Sequence, residues 1–396
     1  MPEVILPLPL PVLDGPYQPG ITDPVWPETS PLGIDPNTYR AHYAGQLGRQ
    51  RHLHIVTDDI LIWSRDAARN AFQRISEVCR HQMHKEPPRD VQRPYDQNVN
   101  SRRVSITVGL GATLFTTAVG DDRFGLAGLK PTALKIMPPT EGDHTSFRPV
   151  QYATDLVFLI SSDDVYVNEY IFGLFYYGKV HPAIKVRQVE RGYARPDDRE
   201  PSGFEDGLSN PRALGPDYAM QRLVYIEKGD EEPAWCEGGT YLAYRKILRR
   251  MAHFFDLGPN AREAVFGVER RTGERLKDAT FNAHAIKMNP RRKEPDLFGM
   301  LDESRRILRR PYFFDDGLDA DGTETRGLHH LSFARNLLTQ YEWPVQMWQM
   351  NENFPDPGTG IDLLYQIGGA SNIGGAYYFM PRAALAGDYL ASDLFE

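Results

Sequence analysis

Cysteine is scarce in these 396 residues. The two present, Cys79 and Cys236, are too few for a disulfide framework and lack C-x-x-C metal spacing. Long apolar runs are missing too: nothing approaches the about 20 consecutive residues that a membrane-spanning helix needs. Positive charge is not in excess, with 45 Lys and Arg against 53 Asp and Glu for a formal net charge of −8. That balance argues against a general nucleic-acid binder, which needs a broad basic surface. No Lys or Arg precedes Arg40, so the charged start of a Sec or twin-arginine signal is lacking. A cytoplasmic protein is expected, with no membrane partner. The chain also has no P-loop, no G-x-G-x-x-G after a strand, no H-E-x-x-H and no G-x-S-x-G. Nucleotide, zinc-protease and serine-hydrolase readings therefore lose their motif support.

What is present reads as globular. Hydrophobic residues make up 41% and charged residues 25%, and the length suits two domains or one large one. Residues 1–50 are rich in Pro and Gly (LPLPLP, GPYQPG, DPVWP) and read as an irregular arm lying across the folded body. From His52 the pattern becomes regular. HLHIVTDD (52–59), VSITVGLG (104–111), DLVFLISSDD (155–164) and KVRQVERGYAR (185–195) read as strands. Trp63 to His84, with Ala68, Phe72, Ile75 and Cys79 at helical spacing, reads as a helix, as does VYVNEYIFGLFYYG (165–178). Strand, helix, strand, connection, strand, helix, strand describes a ferredoxin-like α+β unit with an antiparallel sheet.

A second round follows, with strands expected at GGTYLAYRKI (238–247), GLHHLSFARNLL (327–338) and GGAYYFMPR (374–382). NAREAVFGVERRTGERL (260–276) is helical in pattern, and residues 284–310 form a long Arg-rich connection of the kind that usually carries function. No residue-level repeat links the halves, so duplication rests on element order. The division expected is an arm over 1–50, a first domain over 51–200 and a second over 201–396.

The chemistry concentrates in GFEDGLSNP (203–211). One reading is a turn, with Gly203 and Gly207 relaxing the backbone and Asp206 capping it. The other is a close approach of backbone to a flat ligand, with Asp206 projecting at its face. In chain order this segment is followed by EGGTYLAYRKI, NAHAIKMNPR (282–291), RILRRPYFF (306–314), RGLHHLSFARNL and GGAYYFMP, and preceded by YQPGIT (17–22) and ITVGLGATLF (106–115). The ordered set resembles the dye-decolorizing peroxidase family of haem enzymes over residues 17–382.

The resemblance implies two ferredoxin-like domains with antiparallel sheets flanked by helices, of the dimeric α+β barrel type, and one haem b in the C-terminal half. It implies that His284 is the axial iron ligand and that Asp362, in GTGIDLLYQ (358–366), is the acidic partner of that histidine; a turn or helix cap is the other reading of Asp362. It implies that Asp206 is the acid–base group and that Arg309 stabilises charge as the O–O bond breaks. Gly203, Phe204, Gly207, Arg310 and Leu328 are expected around the cofactor. Arg309 is preferred over the adjacent Arg310 because it follows Ile307-Leu308 as in the family.

One departure stands out: the family usually reads G-L-x-F where this chain has Gly327-Leu328-His329-His330. His330 thus occupies the phenylalanine position, either turned aside or making the pocket polar. Of the many aromatics, Trp343, Trp348 and Tyr377 are candidates for surface oxidation, and none is singled out. The reading that results is a haem peroxidase taking hydrogen peroxide and a small phenolic or dye-like reductant. A haem-handling protein with little turnover and a pathway-specific haem oxidase stand as alternatives. The sheet edges leave a homo-oligomer open.

Overall fold

The computed structural model describes residues 17–21, 49–84, 104–147, 149–195, 199–206, 210–211, 222–289, 292–296, 298–384 and 387–396. The first half runs β1 (His52–Ile60), α1 (Arg65–His84), β2 (Ser105–Gly111), β3 (Leu156–Ser162), α2 (Val165–Tyr176) and β4 (Ile184–Tyr193). The apolar spacing of α1 buries Ala68, Phe72, Ile75 and Cys79 completely. The Asp164 side chain caps α2 by accepting the Tyr166 amide.

The second half repeats the plan. It runs β5 (Thr240–Arg249), α3 (Met251–Asp256), α4 (Pro259–Phe266), α5 (His284–Lys287), β6 (Leu308–Arg309), β7 (Tyr312–Leu318), β8 (Glu324–Ala334), α6 (Leu363–Gln366) and β9 (Ala370–Met380). All the strand pairings are antiparallel. The first half orders its strands β2-β3-β1-β4, and the second β7-β8-β5-β9, so each shows the same ferredoxin-like order. The halves join edge to edge twice, β2 with β9 and β4 with β7, and close the sheet into a barrel that leaves those four edges covered.

Both seams are short. Leu110 and Gly111 pair with Phe379 and Tyr378, while Tyr193 alone pairs with Phe313. The N-terminal segment reinforces the first: the buried Gln18 amide donates to the carbonyls of Val108 and Pro381 and accepts from the Val108 amide. Most of the predicted arm lies outside the described residues.

Alternation along the strands then sorts side chains. Leu53, Ile55, Leu242, Tyr244, Leu331, Phe333 and Tyr378 belong to one core, which fills the barrel. Arg245, Ile247 and Arg249 of β5 and Leu328, His330 and Ser332 of β8 take the other parity and face outward. Helical segments of the second half cover that outer face.

Two expectations fail. The helix expected over 260–276 ends at Phe266, because Gly267 turns to a φ of 78° and Val268 then bridges to Arg275 in a hairpin. The strand β7 was not anticipated, because Pro311 and Asp315-Asp316-Gly317 around it read as turn residues. No helix among the described residues is long and apolar enough to cross a membrane, and both cysteines are buried and unpaired.

Candidate active site

Between the outer face of the second half's sheet and its helical layer lies a cavity of about 800 Å³. The sheet contributes Ile247, Arg249, Arg309, Leu328 and His330; the helical layer contributes Phe266, His284, Tyr341, Trp348 and Tyr365. Phe204 and Asp206 close one side. Most of the wall is thus apolar or aromatic.

His284 opens α5. Its Nδ1 lies 2.7 Å from Oδ2 of Asp362, which is wholly buried. The other Asp362 oxygen accepts the Leu364 amide at 2.9 Å and caps α6. One carboxylate therefore does both jobs that the sequence offered as alternatives. Burial disfavours a charged imidazole here, but the charge and hydrogen bond of Asp362 outweigh it and hold His284 above its ordinary pKa. With Nδ1 engaged, Nε2 is the nitrogen left to face the cavity.

Three residues beyond His284, Lys287 is completely buried and gives its ammonium to the carbonyls of Asn351 (3.1 Å), Phe354 (2.8 Å) and Gly360 (2.7 Å). The loop that ends on Asp362 is thereby tied to the helical turn that carries His284. Nothing in the sequence around Lys287 announced this role, since its partners are main-chain groups more than 60 residues away.

On the sheet side, Arg309 Nη2 lies 3.3 Å from Asp206 Oδ1. Asn210 holds the Arg309 backbone by accepting its amide and donating to its carbonyl. Arg309 opposes Ser332 across β6 and β8. Arg310, next in the chain, points the other way. It is buried and donates to Gln50, so it does not join the cavity as expected. The same alternation separates the adjacent histidines: His330 lines the cavity, while His329 is buried between the Tyr244 hydroxyl (3.0 Å) and the Arg191 carbonyl (3.1 Å). Burial pushes His329 down to about 3, with Lys246 adding to the shift. Burial likewise pushes His330 down to about 4; Asp206 opposes this and Arg309 reinforces it.

Phe204 stacks on Phe266 (4.0 Å between centroids, 18°), and Phe266 and His284 meet at 84° with centroids 6.0 Å apart. Gly203 has a φ of 87°, and a Cβ there would meet the Arg270 guanidinium at 2.9 Å. Its freedom serves the turn rather than a ligand, contrary to expectation, since it does not line the cavity. Gly207 lies outside the described residues. The sequence did not point to Arg249, which lines the cavity and pairs with Glu200 at 2.9 Å, nor to Ser332, whose Oγ lies 3.1 Å from His330 Nδ1. Ser332 was accessible in principle, being two residues from His330 on one strand face.

Comparison with known proteins gives the context. Residues 49–194 match the N-terminal profile of the Dyp-type peroxidases and residues 197–385 the C-terminal profile. The chain belongs to the Dyp-type peroxidase family. It is a peroxidase, an oxidoreductase, with haem as its cofactor. Relatives include the deferrochelatases of Escherichia coli K12 and of Shigella flexneri. Each is 26% identical over 90% of this chain, covering 86% and 87% of the relative respectively.

Among solved structures, DtpA from Streptomyces lividans superposes with a TM-score of 0.71 at 24% identity, over 97% of both chains. A DyP-type peroxidase from Streptomyces coelicolor gives the same TM-score and identity over 97% and 96%. The encapsulated DyP-type peroxidase from Mycobacterium smegmatis gives 0.62 at 20% identity over 88% and 95%. At these identities the likeness speaks for the fold.

The residues present fit a haem. The cavity lies in the size range of cofactor pockets and is lined mainly by apolar and aromatic groups. One imidazole, fixed by a carboxylate, has a single nitrogen left for a metal, the arrangement that sets tautomer and raises ligand basicity.

Proposed function

We propose that the enzyme binds one haem b through His284 Nε2 and reduces hydrogen peroxide with Asp206 and Arg309 as its acid–base and charge-stabilising groups. The observation that carries this reading is a single cavity joining the His284–Asp362 pair to the Arg309–Asp206 pair. Ferric haem, when bound, supplies the point of peroxide attachment and the electrons that its reduction requires. The side chains manage protons and charge around it.

Asp206 is suited to take a proton from one peroxide oxygen and return it to the other as water departs, directly or through one water molecule. Arg309 presents guanidinium donors where negative charge develops. Its contact with Asp206 holds the two side chains together at one place in the cavity. Two electrons then come from an organic donor, a small phenol or dye-like molecule. Asp362 holds the His284 ring, and Lys287 holds the loop behind Asp362.

In this reading residues 51–200 and 201–396 are the two ferredoxin-like domains, with haem in the second and residues 1–50 as the arm. The buried, unpaired cysteines support a reducing, cytoplasmic setting.

A second reading, a haem-handling protein with little turnover, is favoured by the name of the deferrochelatase relatives. A steady-state assay separates the two. Haem-loaded protein should oxidise a phenol or anthraquinone dye only when peroxide is present. Protein that holds haem at one per chain yet shows no peroxide-dependent turnover would be a haem handler.

A further inference from the structure

The polar end of the cavity holds a third group that neither acid–base chemistry nor charge neutralisation calls for. His330 lines the cavity beside Arg309 and Asp206, and its Nδ1 lies 3.1 Å from Ser332 Oγ. Ser332 is completely buried on the same strand face, opposite Arg309 in the β6–β8 register.

Hydrogen accounting settles which way this bond runs. A buried hydroxyl must place its hydrogen on an acceptor or lose the free energy of a hydrogen bond. Among the described residues Ser332 Oγ meets His330 Nδ1. If Nδ1 carried a proton and donated, the serine hydrogen would have no acceptor among the described residues. With serine as donor, Nδ1 is the bare nitrogen and the buried hydroxyl hydrogen is used. A neutral imidazole that accepts at Nδ1 carries its proton on Nε2.

The geometry points to His330 as a fixed hydrogen-bond donor: Ser332 locks its tautomer, and Nε2–H, together with the Arg309 guanidinium, binds the peroxide or anion that occupies the cavity. This rests on the haem reading of the same cavity. His330 does not compete with Asp206 for the proton, because the nitrogen facing the ligand already carries one. Division of labour follows: Asp206 moves the proton, while Arg309 and His330 hold the oxygen on which charge collects. A phenylalanine here would supply bulk without a donor. The low pKa of His330 agrees, because the imidazole then stays neutral well into the acidic range.

Fluoride binding to the ferric holoprotein tests the inference without turnover. Fluoride accepts hydrogen bonds and is followed by the haem absorption spectrum at fixed pH. A hydrogen bond to a charged group implies that His330→Phe weakens fluoride binding by about tenfold or more. His330→Asn, whose amide can still donate, should recover most of the loss. Ser332→Ala should lose a smaller share, because the imidazole can then place its proton on either nitrogen. The inference is overturned if His330→Phe takes up haem at one per chain and binds fluoride within twofold of the parent. It is equally overturned if the Phe and Asn variants are weakened alike, since restoring a donor would then recover nothing. A parent protein that takes up no haem overturns the haem reading itself, an outcome distinct from both.

Discussion

Replacing Asp206 with Asn keeps the shape of the side chain and removes its ability to accept a proton. The carboxylate is about one-fifth exposed, facing the cavity, and lies 3.3 Å from Arg309, so the amide can occupy the same place. General acid–base groups contribute about 10²- to 10⁴-fold, equivalent to about 3–5 kcal/mol of barrier. Mixing ferric holoprotein rapidly with peroxide and following the haem absorption gives a second-order rate constant. Asp206→Asn should lower that constant by at least about 10²-fold while haem content and the resting spectrum stay unchanged. Arg309→Leu should lower it by about 10²- to 10³-fold, the usual cost of one donor to developing negative charge. Because the two side chains touch, the double variant should lose less than the product of the single losses. A rate constant for Asp206→Asn within threefold of the parent would refute the assignment. Losses that multiply in full would show that the pair does not act as a unit.

Other consequences follow from the groups around the pair. Asp362→Asn retains an oxygen to cap Leu364 but loses the charge facing His284, so haem affinity should fall about 10- to 100-fold with little change in the unfolding midpoint of the apoprotein. Haem transfer to a competing acceptor measures the first, and thermal melting the second. Lys287→Met leaves three carbonyls, that of Phe354 buried, without their shared donor and should destabilise the fold by about 2 kcal/mol, read from denaturant midpoints.

His329, neutral when folded with a pKa pushed down to about 3, adds acid sensitivity. Its folded value lies below the unfolded one, so its stabilising effect is complete above about pH 6.5 and is lost as pH falls toward 3. The slope is at most about 1.4 kcal/mol per pH unit. His329→Gln should flatten the fall in stability between pH 7 and 4.5, and an unchanged slope would contradict it.

Much of this was legible in the chain, for identifiable reasons. Alternation in 104–111, the apolar run in 155–164 and helical spacing in 63–84 are local signals, and the elements appeared within a few residues of their expected places. The repeated strand order followed from element succession, the strand-helix-strand rhythm of a ferredoxin-like unit. The helix expected over 260–276 failed on a local signal, Gly267, whereas the departures at the site were decided across long sequence distances. Arg309 and Arg310 are neighbours with opposite fates, fixed only by the register of a two-residue strand against Ser332. Asp362 looked like either a helix cap or a histidine partner; its two oxygens let it be both. Gly203 was a plausible ligand contact until the Arg270 side chain was found against it. Lys287, saturated by carbonyls of a distant loop, carried no local pattern at all.

The most direct measurement is titration of haem into the parent protein and into His284→Ala, followed by absorption and electron paramagnetic resonance. The account predicts one haem per chain with a ferric signal of histidine ligation in the parent, and loss of that ligation in the variant, restored in part by added imidazole. An unaltered ferric spectrum in His284→Ala would contradict it.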